Sequence, residues 1–352
     1  MSESAGARPV WKRIAVLAAS GGVALVGYAA WSRAGLLGLS SVRGDVTAVR
    51  AGLADLKRLA RLDAFVRGSA IDSELAAAPT AEGLTPAAVR GREGLELVSA
   101  GDEIAGLEAM GEAVRLEPDN LVLSNAYRME VFRLRLRHLR ANRAHGVLTP
   151  EFPPHLSRQP IAFFEELAHA HPLREVRLSL ALAWVEEMLL FPALEIKAPA
   201  SVEAVDILTD ILEGESGEGF YVPALFARGL NHLHRPARLV WPETFEAPAD
   251  AAARDLGRCV AIGRTLGVGS ERLHAVLATA LGDAYVKCGR FGVARSWWQI
   301  AQNTSADAEI QAAVRRRYGW RDEEILDRLE AELDRARAEL DRPMTDLALM
   351  WN

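Results

Sequence analysis

The side chains best suited to chemistry in this 352-residue chain are eight histidines, two cysteines and scattered carboxylates. The closest histidine pairs are His169-Ala-His171 and His232-Leu-His234. On a helix, residues two apart point in different directions, so neither pair converges on one metal ion. No HExxH occurs, and no carboxylate or histidine set at helical spacing stands out near either pair. Both read as surface or helix-end histidines. The glycines near 263–270 lack the GxGxxG spacing and a P-loop lysine, and GxSxG is absent. No serine or cysteine stands beside an evident base.

Cys259 and Cys288 belong to no CxxC or CxxCH motif. They are either buried thiols or a disulfide, and two cysteines do not fix the redox compartment. The arginines Arg128, Arg133, Arg135, Arg137, Arg140 and Arg143 crowd one helical stretch, where 133, 137 and 140 share a face. A solvated face paired with acidic residues of the next hairpin is one reading. A patch for an acidic partner segment or lipid headgroups is the other. RNA is disfavoured by the net charge of -6 and by few flanking aromatics for stacking. The residues therefore suggest no catalytic group, no metal, no cofactor and no nucleic acid.

What must position these side chains is a helical framework. Half of the residues are hydrophobic, and period-two runs of β-branched and aromatic residues are scarce. Apolar residues recur instead at helical spacing, in stretches separated by short breaks. Helical stretches are predicted over 121–144, 161–172, 173–191, 202–213, 221–233, 249–267 and 309–318. A Pro-containing loop is expected at 192–200 and a long insert at 234–248. A last helix over 322–342 carries Ile325, Leu329, Leu333, Ala336 and Leu340 on one face, with charge elsewhere.

Two segments repeat a 34-residue pattern. Residues 87–120 carry Gly94, Gly101, Met110, Ala113 and Pro118, and close on LEPDN. The stretch starting at Ala275 carries Leu281, Gly282, Tyr285, Gly289, Phe291, Ala294, Trp298 and Ala301 at corresponding places. Both resemble the tetratricopeptide repeat (TPR), a helix–turn–helix unit. Arg90, Leu97 and Gly106 depart from its pattern in the first unit, and Ala278 and Ala306 in the second. Small residues let two helices approach, and large ones fill the hollows between hairpins. Weaker likeness extends over about 80–342. The expected fold is all-α: a TPR-like α-solenoid over 79–320, a capping helix over 321–342 and a tail over 343–352.

The resemblance implies a concave groove that holds peptides along the first helices. The corresponding residues here are Val122, Asn125, Met129, Phe132 and Arg133, and Val276, Thr279, Asp283, Val286 and Lys287. The polar members are the candidate contacts: Asn125, Arg133, Thr279, Asp283 and Lys287, with Met129 between them. Trp241 and Phe245, in the proline-stiffened insert, would either anchor a partner or fold back over the solenoid. The tail PMTDLALMWN, with Trp351, would dock in a groove of its own chain or of a partner.

The N-terminal region carries a separate signal. Residues 14–31, IAVLAASGGVALVGYAAW, are uncharged and long enough to cross a bilayer as a helix. A tail over 1–13 precedes a transmembrane helix over 14–32, and an amphipathic juxtamembrane helix falls within 33–78. A cleaved signal peptide is the rival reading. Lys12 and Arg13 abut the span, which favours an inside N-terminus and a body on the extracytoplasmic, periplasmic side. Arginine far outnumbers lysine, as in a GC-rich bacterium. The reading that emerges is a non-enzymatic, membrane-anchored scaffold, assembly factor or accessory subunit of an envelope complex. Its partners would be proteins and, through 14–32, the bilayer. The alternatives are an envelope enzyme or enzyme subunit with a pocket in 145–270, and a secreted peptide- or solute-binding module.

Overall fold

A computed structural model describes residues 85–144, 152–157, 159–190, 194–214, 221–236, 247–266, 269–339 and 345–350. The expected membrane span and juxtamembrane helix lie outside the described residues, as do Trp241, Phe245 and Trp351. Among the described residues, no helix is long and apolar enough to cross a membrane.

Every regular element described is helical. In chain order these are α1 (Pro86–Ser99), α2 (Glu103–Leu116), α3 (Leu121–Ala144), α4 (Gln159–Ala170), α5 (Arg174–Leu190) and α6 (Leu194–Glu213). Then follow α7 (Val222–Leu233), α8 (Pro248–Leu266), α9 (Glu271–Lys287), α10 (Phe291–Thr304), α11 (Ala308–Tyr318) and α12 (Ile325–Glu339). A short 3₁₀ turn, Leu347–Met350, closes the described chain.

Local chemistry sets the helix starts. Side-chain oxygens of Thr85, Asp102, Ser270 and Asp307 accept from backbone N–H groups of the first turns of α1, α2, α9 and α11. In LEPDN, Asn120 Oδ1 accepts from the N–H groups of Val122 and Leu123 at 3.1 and 3.3 Å, while its Nδ2 donates to Glu117. That motif therefore ends one hairpin and starts the next. Between paired helices, Gly101 and Gly289 take φ of +96° and +71°, a region that costs glycine little.

The helices pack as successive antiparallel pairs, α1 with α2, α5 with α6, α7 with α8, and α9 with α10. The first helices also pack on one another in order: α3 on α5, α5 on α7, α7 on α9, and α9 on α11. This is a repeat of helical hairpins with one inner layer of first helices. Its signature residues behave as the TPR-like pattern requires. Trp298, Ala294 and Ala301 are fully buried, and a Cβ added at Gly282 would stand 2.5 Å from the Trp298 ring. Trp298 meets Tyr318 and Trp320 edge-on, each at 6.3 Å between ring centroids. In α1–α2, Gly106 departs from the pattern because a Cβ there would stand 2.7 Å from the Gly94 carbonyl and 2.8 Å from the Val98 nitrogen, and a Gly94 Cβ would stand 2.7 Å from the Gly106 carbonyl. Both helices need a bare backbone there.

Three expectations change. Helix α6 runs from Leu194 through Pro199, where a loop was expected. Pro199 is the sixth residue of α6, past the first turn, so the Glu195 carbonyl loses its helical N–H partner there, while the ring itself is exposed. Within the arginine run, Arg128 and Arg135 are buried: Arg135 Nη1 donates to Glu187 at 2.7 Å, and its guanidinium lies over Phe152. Only the outer members fit a solvated face, with Arg133 on Glu130 and Arg137 on Glu103. The Arg143 side chain lies outside what is described. On α12, Ile325, Leu329 and Leu333 are buried, but Ala336 is exposed, so the apolar face stays covered only over the first part of the helix.

Candidate functional site

The inner layer converges on Asn125, near the start of α3. Its amide is 6% exposed and uses both ends on the same segment of chain. Nδ2 donates to Asp346 Oδ1 at 2.8 Å, and Oδ1 accepts from the Leu347 N–H at 2.9 Å. Arg128, one turn further along α3, donates from Nη2 to the Thr345 carbonyl at 3.2 Å and to Asn125 Oδ1 at 2.9 Å. Its other nitrogen, Nη1, is ion-paired with Glu186 of α5. Arg128 has no exposed surface.

Residues 345–350 lie across this layer. Leu347 is buried in the main core cluster, with Ala348 and Met350 packed against it. Asp346 Oδ1 also accepts from the Ala348 N–H at 2.9 Å, so it caps the 3₁₀ turn that it anchors. The turn touches both α3 and α9, although α5 and α7 stand between them in the stacking order. A four-residue 3₁₀ turn is only about 8 Å long. The inner face must therefore curve tightly enough for a short segment to reach both walls. The tail docks in a groove of its own chain, one of the two outcomes its sequence allowed.

Electrostatics in the groove are unusual. Burial pushes the Glu186 carboxyl up to about 7, against the opposing pull of Arg128, Thr345 and Arg135. Away from the groove, where Tyr127 packs on Phe163 and Phe164 of α4, burial pushes its phenol up to about 12. Among the described residues no cluster of three metal-ligating side chains forms.

The other expected contact residues fall in different settings. Met129 is buried in α3, while the Arg133 side chain is mostly exposed and pairs with Glu130 at 3.2 Å. Thr279 Oγ1 donates to the Ala275 carbonyl at 2.8 Å within α9. Asp283 and Lys287 do not face an open groove. Asp283 accepts two bonds from Arg317 of α11 and one from Trp298 Nε1, at 3.0 Å. Lys287 Nζ donates to the Arg235 carbonyl and pairs with Glu330 of α12, both at 2.8 Å. Both residues tie α9 to later elements.

A second buried network joins α6, α7 and α8. Arg228 is bidentate on Asp255, at 2.6 and 3.0 Å, and reaches Glu213 at 2.7 Å. Burial alone would lower the Arg228 guanidinium, but Asp255 and then Glu213 outweigh it. Nearby His232 is pushed down to about 3, first by burial and then by Arg235. His169 and His171 are exposed, as expected of surface histidines. Both cysteines are free: Cys259 is buried, and the Cys288 Sγ lies 3.5 Å from Asp250.

Sequence reasoning marked Asn125 and the tail separately. It missed Arg128, Glu186, Thr345 and Asp346 as partners. Arg128 and Glu186 are 58 positions apart and Asn125 and Asp346 are 221 apart, so no local spacing connects them.

No protein-family model matches the chain, and no curated protein matches it. Among solved structures, the chain is similar to the crystal structure of a thermophilic TPR protein from Thermus thermophilus. The identity is 16%, the match covers 65% of this chain and 96% of that one, and the TM-score is 0.39.

Proposed function

We propose that this chain is a non-enzymatic, membrane-anchored TPR-like scaffold, assembly factor or accessory subunit of a bacterial envelope complex. One observation carries the reading. The inner layer holds a length of polypeptide by both its backbone and a side chain, through Asn125 and Arg128. Such a surface recognises protein segments, and its contacts need no bond chemistry. Met129, Arg133 and Thr279, on the same layer of first helices, are proposed as further contact residues, and Trp241, Phe245 and Trp351 as outer anchors. Residues 14–32 would tether the chain, with its body on the periplasmic side.

Purification of the native chain in gentle detergent, with a photo-crosslinker at Arg133, tests this reading. A defined protein partner joined at that position supports it. A monodisperse chain that emerges alone, with no crosslinked species, sinks it. A reporter enzyme active only outside the cytoplasm, fused after residue 85, checks the orientation.

A further inference from the structure

The segment in the groove is held as a ligand is held. It contributes one buried aliphatic side chain, Leu347, and one carboxylate, Asp346. It also contributes one backbone donor, at Leu347, and one backbone acceptor, at Thr345. The receiving groups, Asn125 and Arg128, belong to α3, more than 200 positions away in the chain. Arg128 already meets Glu186 through Nη1, so what it offers the segment is a directed hydrogen bond from Nη2.

We propose that residues 345–350 are a built-in competitor that shuts the groove, and that the partner is a polypeptide with the same chemistry. That chemistry is an acidic residue followed directly by a buried aliphatic one, at the start of a helical turn. Asp346 defines the first requirement, because one carboxylate oxygen both meets Asn125 and caps the turn through the Ala348 N–H. Leu347 defines the second. This inference rests on the protein-binding reading above and adds its ligand class and its gate.

The tether makes the competition strong but reversible. Only residues 340–344 lie between α12 and Thr345. A short tether presents its segment at an effective concentration on the order of millimolar. A partner must exceed that or be tethered itself, for example within an assembled complex. If the segment leaves, Asn125 and Arg128 lose polar partners, and a replacement must restore them.

The test uses the full chain and a labelled peptide of residues 343–352, PMTDLALMWN. In the intact chain the groove is occupied and the peptide should bind weakly. In the full chain carrying Asp346→Lys and Leu347→Glu it should bind at least tenfold more tightly. A peptide with the same two changes should not bind the released variant. Equal affinity for the intact and changed chains overturns the proposal. So does absence of binding to a changed chain that is folded by circular dichroism. If the changed chain does not fold, amide exchange on the unaltered protein decides. Excess peptide should speed exchange at Leu347 and Ala348 at least fivefold, and unchanged exchange overturns the proposal. Because the probe is synthetic, this result is independent of cellular partners. Peptide competition without a crosslinked partner would sink the scaffold reading and leave the gate standing.

Discussion

Asp283 and Arg317 meet through two parallel hydrogen bonds of 2.8 Å, both inside the protein. The pair joins α9 to α11, and Trp298 donates to the same Asp283 oxygen at 3.0 Å. Burial alone would lower the Arg317 guanidinium, but Asp283 and then Glu332 hold it above its ordinary value. One carboxylate thus fixes the best-preserved hairpin to the unit that follows it.

The consequence is a sharp asymmetry between single and double variants. Asp283→Ala leaves a buried guanidinium with Glu332 as its remaining carboxylate, and loss of one partner from such a pair costs about 3–5 kcal/mol. Asp283→Leu combined with Arg317→Met removes both charges and should recover most of that loss. Urea unfolding of the single and double variants measures it. A double variant as unstable as Asp283→Ala would show that the pair itself stabilises the junction.

The Gly282–Trp298 contact gives a steric prediction. A Cβ at 282 would stand 2.5 Å from the Trp298 ring and 3.1 Å from the Ala294 carbonyl, so neither helix can yield easily. Gly282→Ala should cost about 1–3 kcal/mol through overpacking. Trp298→Ala should cost about 3–5 kcal/mol through the cavity it leaves. Gly292→Ala, with open space around its position, is the control and should be close to neutral. Thermal melts rank the three, and a Gly282→Ala protein as stable as the control would contradict the close approach.

These residues also mark what the sequence made legible. Gly282, Ala294, Trp298 and Ala301 recur at repeat spacing because each satisfies a local rule of hairpin packing. Helix positions followed from periodicity for the same reason. Asp283 was marked as a groove position, correctly placed on the first helix. Its occupation by Arg317, 34 positions on, is one repeat away and carries no spacing signal of its own. The groove was half legible: Asn125 came from the repeat register and the tail from its apolar run. Their meeting depends on the curvature of the whole stack, which no local window encodes.

The cysteines should be sluggish. Burial first, then Asp250, pushes the Cys288 thiol up to about 12. Burial and then Asp255 push Cys259 up as well. A thiol with a pKa near 12 is ionised at pH 7 on the order of a thousandfold less than a free one near 8.5. Reaction of the native protein with a thiol-specific reagent at pH 7 should therefore be slow, and unfolding should release two thiols promptly. Rapid labelling of Cys288 in the folded protein would contradict its setting.

Two buried groups should give the stability profile opposing slopes. His232 is pushed down to about 3 by burial and by Arg235, so the folded state binds fewer protons than the unfolded one below about 6.5. Its contribution to stability is lost as pH falls from about 6.5 toward 3. Glu186 is pushed up to about 7 by burial, so the folded state keeps a proton that the unfolded chain releases from about 4.5 upward. Its contribution falls as pH rises from about 4.5 to 7 and is level above that. Between about 4.5 and 6.5 the slopes oppose, and the unaltered protein should show a shallow profile. His232→Phe removes the first slope: relative to the unaltered chain, it should gain on the order of 2 kcal/mol between pH 7.5 and pH 5. Glu186→Gln removes the second and should lose ground over the same acid range relative to the unaltered chain. Urea titrations at pH 5, 6 and 7.5 separate them. If the two variants moved together with pH, burial would not be shifting the two groups in opposite directions, Glu186 up against the pull of Arg128 and His232 down with the push of Arg235.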